Sequence, residues 1–540
     1  MDNVIQADVV IVGSGIAGSL IASKLAAAGV KVAILEAGAS VDRPAAVQRF
    51  REALVKVPEC AYPRTAQAMF PVTDKPGDWY RQSGPDTFKS TYLKVVGGTT
   101  WHWLGTCLRY LPADFQLQSR YGRGVDWPLS YADLEPYYGQ AEVELGVAGD
   151  SNEHLDSPRS TAFPLPALGQ TYLDATFAKA LAGSPYQVRA TPQARNSIAH
   201  DGRIACCGNA SCIPVCPTQA KYDATVHLAR AQRAGAELHE RCTAVGLDLD
   251  DRGHIAAVRF QRWDRSAGVA KAQVFVLACH AIETPRLLLA SRNDSLPMGV
   301  ANRSGQVGRN LMDHPIQLSW ALSAEPVYPY RGPLSTSGIE NLRDGAFRNT
   351  RGAFRTQISN DGWSWPTGAP LSTVRELIQQ GHRGQALDAA IADQTSRHLQ
   401  MASLIEQEPD PANRISLDDE ERDYYGVPLP RIAYRLSDYV KQGLAAATAA
   451  HQDIFQRLRA SPIHHAEVAQ GAGHIIGTTR MGESPKTSVV DAQLRSHDHP
   501  NLYIAGSGVF PTSGTANPTL TIAALSLRSV ASIQEALRGK

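Results

Sequence analysis

The first 36 residues constrain the fold more than any other stretch. Asp8-Val-Val-Ile-Val12 is a short β-branched run of the kind that forms a buried parallel strand. Gly13-Ser-Gly15-Ile-Ala-Gly18 follows at once, then Ser19 to Ala28 at helical spacing, with Gly29 as its stop. A second strand, Lys31-Val-Ala-Ile-Leu35, ends in Glu36. This order of strand, glycines, helix, strand and acid predicts a dinucleotide-binding βαβ unit. Gly13 permits the tight turn, Gly15 lets backbone approach a pyrophosphate, and Gly18 lets helix and strand pack closely. Glu36 lies 18 residues beyond Gly18, where a carboxylate can hold ribose hydroxyls. The motif alone does not separate NAD from FAD.

A second feature is Cys206-Cys207-Gly-Asn-Ala-Ser-Cys212-Ile-Pro-Val-Cys216-Pro217, which gathers half of the chain's 8 cysteines. Thiolates at such spacing can wrap an iron–sulfur cluster, and proline follows the last ligand in bacterial cluster-binding runs. Zinc is the rival, but structural zinc sites pair closely spaced cysteines or complete four ligands with histidine. The nearest histidine here is His200. Cys60, Cys107, Cys242 and Cys279 are dispersed and read as buried thiols, and no disulfide framework is expected. A dinucleotide site and a one-electron relay in one chain suggest a dehydrogenase that hands electrons to another protein.

Composition excludes other classes. With 43% apolar residues, 19% charged residues and a net charge of +1, the chain reads as a globular enzyme with no basic tract for nucleic acid. Its 540 residues imply two or three domains or one large elaborated one. No window approaches the roughly 20 apolar residues of a membrane helix. Met1 to Asp8 lacks the features of a secretion signal, so membrane attachment or export is expected only through a partner.

The C-terminal third carries candidate chemistry. Gly473-His474-Ile-Ile-Gly477 places a histidine in a Gly-rich loop, and Gly506 to Gly514 leads to Thr515-Ala-Asn517-Pro518-Thr519 at a helix start. Oxidising an alcohol on a flavin needs a base for the hydroxyl proton and a second polar group on the same oxygen. His474 is the candidate base and Asn517 its hydrogen-bonding partner. Val95-Val-Gly97-Gly98-Thr99-Thr100-Trp101-His102-Trp103 can lie against an isoalloxazine ring, or can be a glycine turn before buried aromatics.

These stretches, with Val274 to Pro285 and Val307 to Pro315, resemble the glucose–methanol–choline (GMC) oxidoreductases over nearly the whole chain, in the family's order. The resemblance implies FAD as cofactor and an α/β fold. A discontinuous Rossmann-like FAD-binding domain is expected over 1–325 and 469–540, with the iron–sulfur loop at about 203–220. A substrate-binding domain with a mostly antiparallel sheet covered by helices is expected over 326–468. Residues 430–436 read as a strand there, and 386–399 and 440–458 as helices. The implied catalytic pair is His474 and Asn517. The implied FAD contacts are Gly13, Gly15, Gly18, Glu36, Gly97, Gly98, Thr99, His102, Val245, Gly506 and Thr519, with His102 at the position where some members bond FAD covalently.

Within the family, the cysteine run is similar to the large subunits of bacterial membrane-bound dehydrogenases for glucose, fructose, sorbitol or gluconate. Pro192-Gln-Ala-Arg-Asn196 and the stretch from Trp127 to Tyr138 share that resemblance. It implies a [3Fe-4S] cluster on Cys206, Cys212 and Cys216, leaving Cys207 free. It also implies a small carbohydrate substrate, a chaperone-like export subunit, a cytochrome c or other acceptor, and a periplasmic, membrane-associated location, with a cytoplasmic one as the alternative. The expected reaction passes a hydride from a sugar, polyol, sugar acid or glycoside hydroxyl to flavin N5, with electrons leaving through the cluster. An oxidase using oxygen directly and a non-catalytic electron-transfer module are the alternatives. Glucose and fructose dehydrogenases of this group carry Asn where this chain has Gly473, so the substrate stays open. Asp313-His314 is expected to be structural, His464-His465 solvated, and Trp101 and Trp103 part of the core.

Overall fold

The computed structural model describes residues 3–73, 75–153, 155–361 and 371–539. Val9–Val12, Val32–Leu35 and Val274–Leu277 are buried at every position, so each strand is apolar on both faces, as a covered parallel sheet requires. They form a five-stranded parallel sheet in the order Leu502–Ile504, Val274–Leu277, Val9–Val12, Val32–Leu35, Glu237–His239. Each fully buried Val, Leu or Ile contributes about 1.5–3 kcal/mol relative to exposure. The helices Ile16–Ala27 and Thr519–Leu537 pack their apolar residues into this core. Strands from distant parts of the chain therefore build one layer, and the dinucleotide unit is discontinuous.

A seven-stranded antiparallel sheet faces it. Its main path runs Ile463–His465, Pro315–Leu322, His398–Ile405, Phe354–Ser359, Ser337–Ile339, Val188–Ala190, and Gln470–Gly471 pairs with Pro315–Leu322. Ile454 and Phe455 of the helix Asp438–Arg457, and Leu173 and Phe177 of the helix Tyr172–Ala180, pack against Ile358, Leu399 and Met401 of this sheet. Three of its strands, 188–190, 315–322 and 470–471, lie outside the range expected for the substrate-binding part, because strand pairing draws on the flanking chain.

The expected helices appear as Gly384–Arg397 and Asp438–Arg457. The expected strand at 430–436 appears as Pro428–Ala433, in a separate three-stranded sheet with Arg414–Arg422 and Arg81–Ser83. His464 is exposed, as expected, whereas His465 is half-buried. His465 hydrogen-bonds Ser319 Oγ (2.8 Å) and Gln452 Oε1 (3.0 Å) through its two ring nitrogens, and His464 stacks on Trp320. Trp101 is in the core; Trp103 is half-buried, its indole N–H donating to the Tyr222 carbonyl. Among the described residues, no helix is long and apolar enough to cross a membrane.

Candidate active site

The two sheets enclose a cavity of about 490 Å³ that runs from the glycine fingerprint to the antiparallel sheet. At the fingerprint end, the helix Ile16–Ala27 starts at Gly15 with no side-chain cap and no acid in its first turn. Its free N–H groups and positive dipole end form a ready phosphate site. Gly13 has φ +102°, and a Cβ there would stand 2.4 Å from the Ala278 carbonyl oxygen. A Cβ on Gly18 would stand 2.1 Å from the Gly13 carbonyl oxygen, so the close helix–strand packing needs glycine.

Glu36 lines the cavity, and its carboxylate accepts from Ser14 N (3.0 Å), Ser14 Oγ (2.6 Å) and Gly38 N (2.8 Å). Burial raises its pKa, opposed by those donors. The Gly97-Gly98 loop is tied to the fingerprint, since Gly97 N donates to Ser14 Oγ (3.0 Å). Of the expected FAD contacts, Gly98, Thr99, His102, Gly506 and Thr519 line the cavity with Gly13, Gly15 and Glu36, while Gly97 and Gly18 do not. Val245 is not part of the lining, which the preceding residues Cys242, Thr243 and Ala244 supply. His102 is buried, its Nδ1 3.2 Å from the Pro58 carbonyl, and burial pushes its pKa down to about 4. An uncapped helix start, a buried acid and glycine-cleared backbone fit FAD.

At the far end His474 and Asn517 come together. Asn517 Nδ2 is 3.2 Å from His474 Nε2, and Asn517 Oδ1 accepts from Arg355 Nη1 at 3.3 Å. Arginine cannot accept, which fixes the amide orientation and makes Nδ2 the donor towards His474. Arg355 is wholly buried on Phe354–Ser359 and pairs with Glu340 at 2.8 Å.

His314 Nδ1 is 2.8 Å from His474 Nδ1, while His314 Nε2 faces the carbonyls of Ser513 (3.2 Å) and Gly514 (2.9 Å). Two carbonyls require a proton on His314 Nε2, so His314 Nδ1 accepts and His474 Nδ1 carries the proton. His474 Nε2 is left with its lone pair. Burial, then the cost of a second positive charge beside the His314 ring and the Arg355 guanidinium, holds the His474 pKa well below the usual histidine value. Burial likewise lowers His314 to about 4. Asp313 Oδ1 accepts from His314 N (2.7 Å) and His474 N (2.9 Å), and Ser90 bonds its other oxygen. The Asp313-His314 pair, expected to be structural, is thus the direct support of the candidate base. Its signal in the sequence was an acid and a histidine side by side; the partner lay 160 positions away.

Cys206, Cys207, Cys212 and Cys216 line one small cavity of about 10 Å³ with Arg195, Asn209, Pro217 and Thr218. His200 does not line it, and among the described residues no three His, Cys, Asp or Glu side chains converge on a single ion. Burial raises the Cys206 pKa. Cys216 is lowered despite burial, because the Lys221 N–H and ammonium and Thr218 favour its thiolate. Cys212 packs on Leu104, which also lines the large cavity.

A family model described as GMC oxidoreductase matches residues 7–316, and a second of that description matches residues 409–526. The chain is 37% identical to the fructose dehydrogenase large subunit of Gluconobacter japonicus, covering 99% of each. It is 33% identical to paromamine 6'-oxidase of Streptomyces fradiae, covering 97% of this chain and 91% of that one. The gluconate 2-dehydrogenase flavoprotein of Pantoea cypripedii is 26% identical, with 98% and 94% covered. Among solved structures, formate oxidase superposes with TM-score 0.67 at 15% identity, covering 99% of each chain, which shows a shared fold.

Proposed function

The chain belongs to the GMC oxidoreductase family, FAD-dependent enzymes acting on CH–OH groups, and from that premise we propose that it is the catalytic subunit of a sugar or polyol dehydrogenase. The observation that carries the reading is the His474 Nε2 lone pair beside the Asn517 amide N–H, both on the cavity wall. A substrate hydroxyl set between them gives its proton to His474 Nε2, while Asn517 Nδ2 donates to the same oxygen. That geometry is what general-base alcohol oxidation requires, with a contribution of roughly 10²–10⁴-fold from the base. FAD supplies the two-electron acceptor. Gln357, Ser359, Gln400 and Gln470 border the cavity and suit a polyhydroxylated substrate.

His102 is a candidate for covalent attachment of FAD. The Pro58 carbonyl holds the proton on Nδ1, leaving Nε2 as a neutral nucleophile. Flavin absorbance staying with acid-precipitated protein supports the bond; full release of flavin removes it.

The relay is part of the same proposal. The donor set of Cys206, Cys212 and Cys216 has the chemistry of iron–sulfur ligation, and a cluster spreads its thiolates over separate irons rather than converging them on one ion. Housing it requires the loop, where Cys207 is exposed, to widen the small cavity. Packing of Cys212 on Leu104 joins that cavity to the large one. A relative named as a large subunit supports partner subunits for this chain; that one of them accepts the electrons, in a periplasmic, membrane-associated setting, is part of the same proposal.

The test is a dye-coupled screen of ketoses, aldoses, polyols, aldonates, aminoglycosides and glycosides with wild-type and His474→Ala protein, alongside iron and acid-labile sulfide analysis. Sugar-dependent dye reduction that is lost in His474→Ala with FAD retained supports the mechanism. Unchanged turnover removes it. Oxygen consumption matching dye reduction, with no iron bound, replaces the relay with a direct oxidase.

A further inference from the structure

Arg195 is 1% exposed, and it sits in the wall of the cysteine cavity. Its Nη2 donates to the Leu104 carbonyl at 3.0 Å, while Nε and Nη1 have no hydrogen-bond partner among the described residues. A guanidinium does not lose its proton in a protein, so burial cannot be relieved by neutralisation as it is for a lysine or histidine. An isolated buried charge with two unmet donors is costly, and proteins keep one only where something negative meets it. Among the described residues no carboxylate is hydrogen-bonded to Arg195, and the cavity wall it belongs to is shared with Cys206, Cys207, Cys212 and Cys216, beside Asn209, Pro217 and Thr218.

A second buried cation, Lys221, also holds the cysteine run. Lys221 is 1% exposed, and its ammonium donates to the carbonyls of Trp101 and Cys212 (2.9 Å each) and to that of Trp103. Its backbone N–H points at Cys216 Sγ (3.5 Å). Lys221 is therefore fully partnered and ties the loop carrying His102 to the cysteine run. Arg195 has two donors to spare, and they call for an anion that the described side chains do not provide.

We propose that Arg195 is the counter-cation of the iron–sulfur cluster held by Cys206, Cys212 and Cys216, donating to its sulfurs and raising the potential at which it takes up an electron. This rests on the relay reading above. Cluster potentials respond to net charge and to hydrogen bonds at sulfur, and each added electron makes the group more negative, so a fixed adjacent cation favours the reduced form. Arg195 is here a positioning and tuning residue that touches neither substrate nor flavin.

The experiment compares wild type, Arg195→Met and Arg195→Lys, each with iron loaded and with iron removed by a chelator. In the iron-free protein, Arg195→Met removes an unmet buried charge and is expected to leave the melting temperature unchanged or higher. In the iron-loaded protein the same substitution is expected to lower it and to shift the cluster's midpoint negative by at least a tenfold change in the one-electron equilibrium, about 59 mV. Arg195→Lys keeps the charge and recovers most of the shift. A fall in melting temperature in both forms, or an iron-loaded Arg195→Met with an unchanged midpoint, overturns the proposal while leaving the relay intact. Should Arg195→Met not fold, Arg195→Lys decides alone: a midpoint close to wild type supports charge compensation, and one shifted tenfold overturns it. Wild type without iron and labile sulfide removes the relay reading and this inference together.

Discussion

His314 and His474 meet nitrogen to nitrogen, Nδ1 to Nδ1 at 2.8 Å, so one ring dictates where the other carries its proton. The carbonyls of Ser513 and Gly514 fix His314, and His314 fixes His474 with its Nε2 unprotonated. His314→Leu removes the acceptor and lets the His474 proton move to either nitrogen. The expected result is a kcat lower by about ten- to a hundredfold, or ~1.4–2.8 kcal/mol, with FAD content unchanged. His314→Gln offers a carbonyl oxygen in a similar place and should keep more activity. Steady-state kinetics at matched flavin absorbance check this; equal activity of all three proteins removes the tautomer argument.

Asp313 gives the site its acid limb. Burial pushes its pKa up to about 6, whereas His474 stays neutral well below the usual histidine value. As pH falls through 6, the Asp313 carboxyl gains a proton and loosens its hold on the His474 and His314 amides, while the base itself remains unprotonated. kcat/KM is expected to fall on the acid side near pH 6. Asp313→Asn, which cannot titrate, should lack that inflection even if its plateau is lower. A pH profile of the two proteins decides it.

Arg355 and Glu340 test as a pair. Arg355→Met leaves Glu340 buried without its cation and should destabilise the protein by about 3–5 kcal/mol. Arg355→Met with Glu340→Leu replaces the pair by apolar groups and should recover most of that stability. Activity should stay about tenfold down in the double variant, because nothing then holds Asn517 Oδ1 away from the substrate. Denaturant unfolding beside kcat measurements separates the two effects.

Gly18→Ala puts a methyl group 2.1 Å from the Gly13 carbonyl oxygen, a backbone atom with no room to yield. Overpacking of this kind costs about 1–3 kcal/mol, and the displaced turn should release FAD more readily. Flavin retained on a desalting column and the melting temperature are the readouts.

How much of this was legible follows from sequence distance. The fingerprint from Asp8 to Glu36 is contiguous, so each glycine's role can be assigned from spacing and then found in the packing. His474 and Asn517 stand out because both sit in glycine-rich loops. Asp313-His314 stands out as a pair but not for its role, and Arg355 does not stand out at all, because their partners lie far off in the chain. Arg355 reads as an ordinary strand residue until the register sets it beside Glu340 and Asn517. Val245, an implied FAD contact, stands one position beyond Cys242, Thr243 and Ala244, the residues of its strand that line the cavity.

Gly473 directly precedes His474, lines the cavity, and has φ +72°, a conformation that glycine adopts freely and asparagine more readily than most side chains. A Cβ there would meet nothing closer than the Thr91 carbonyl oxygen at 3.5 Å, an ordinary contact. Glycine and asparagine are therefore interchangeable for the loop but not for whatever lies against it. A lineage can trade one for the other and alter which hydroxyl it accepts, while the base, its tautomer and the surrounding framework are inherited intact.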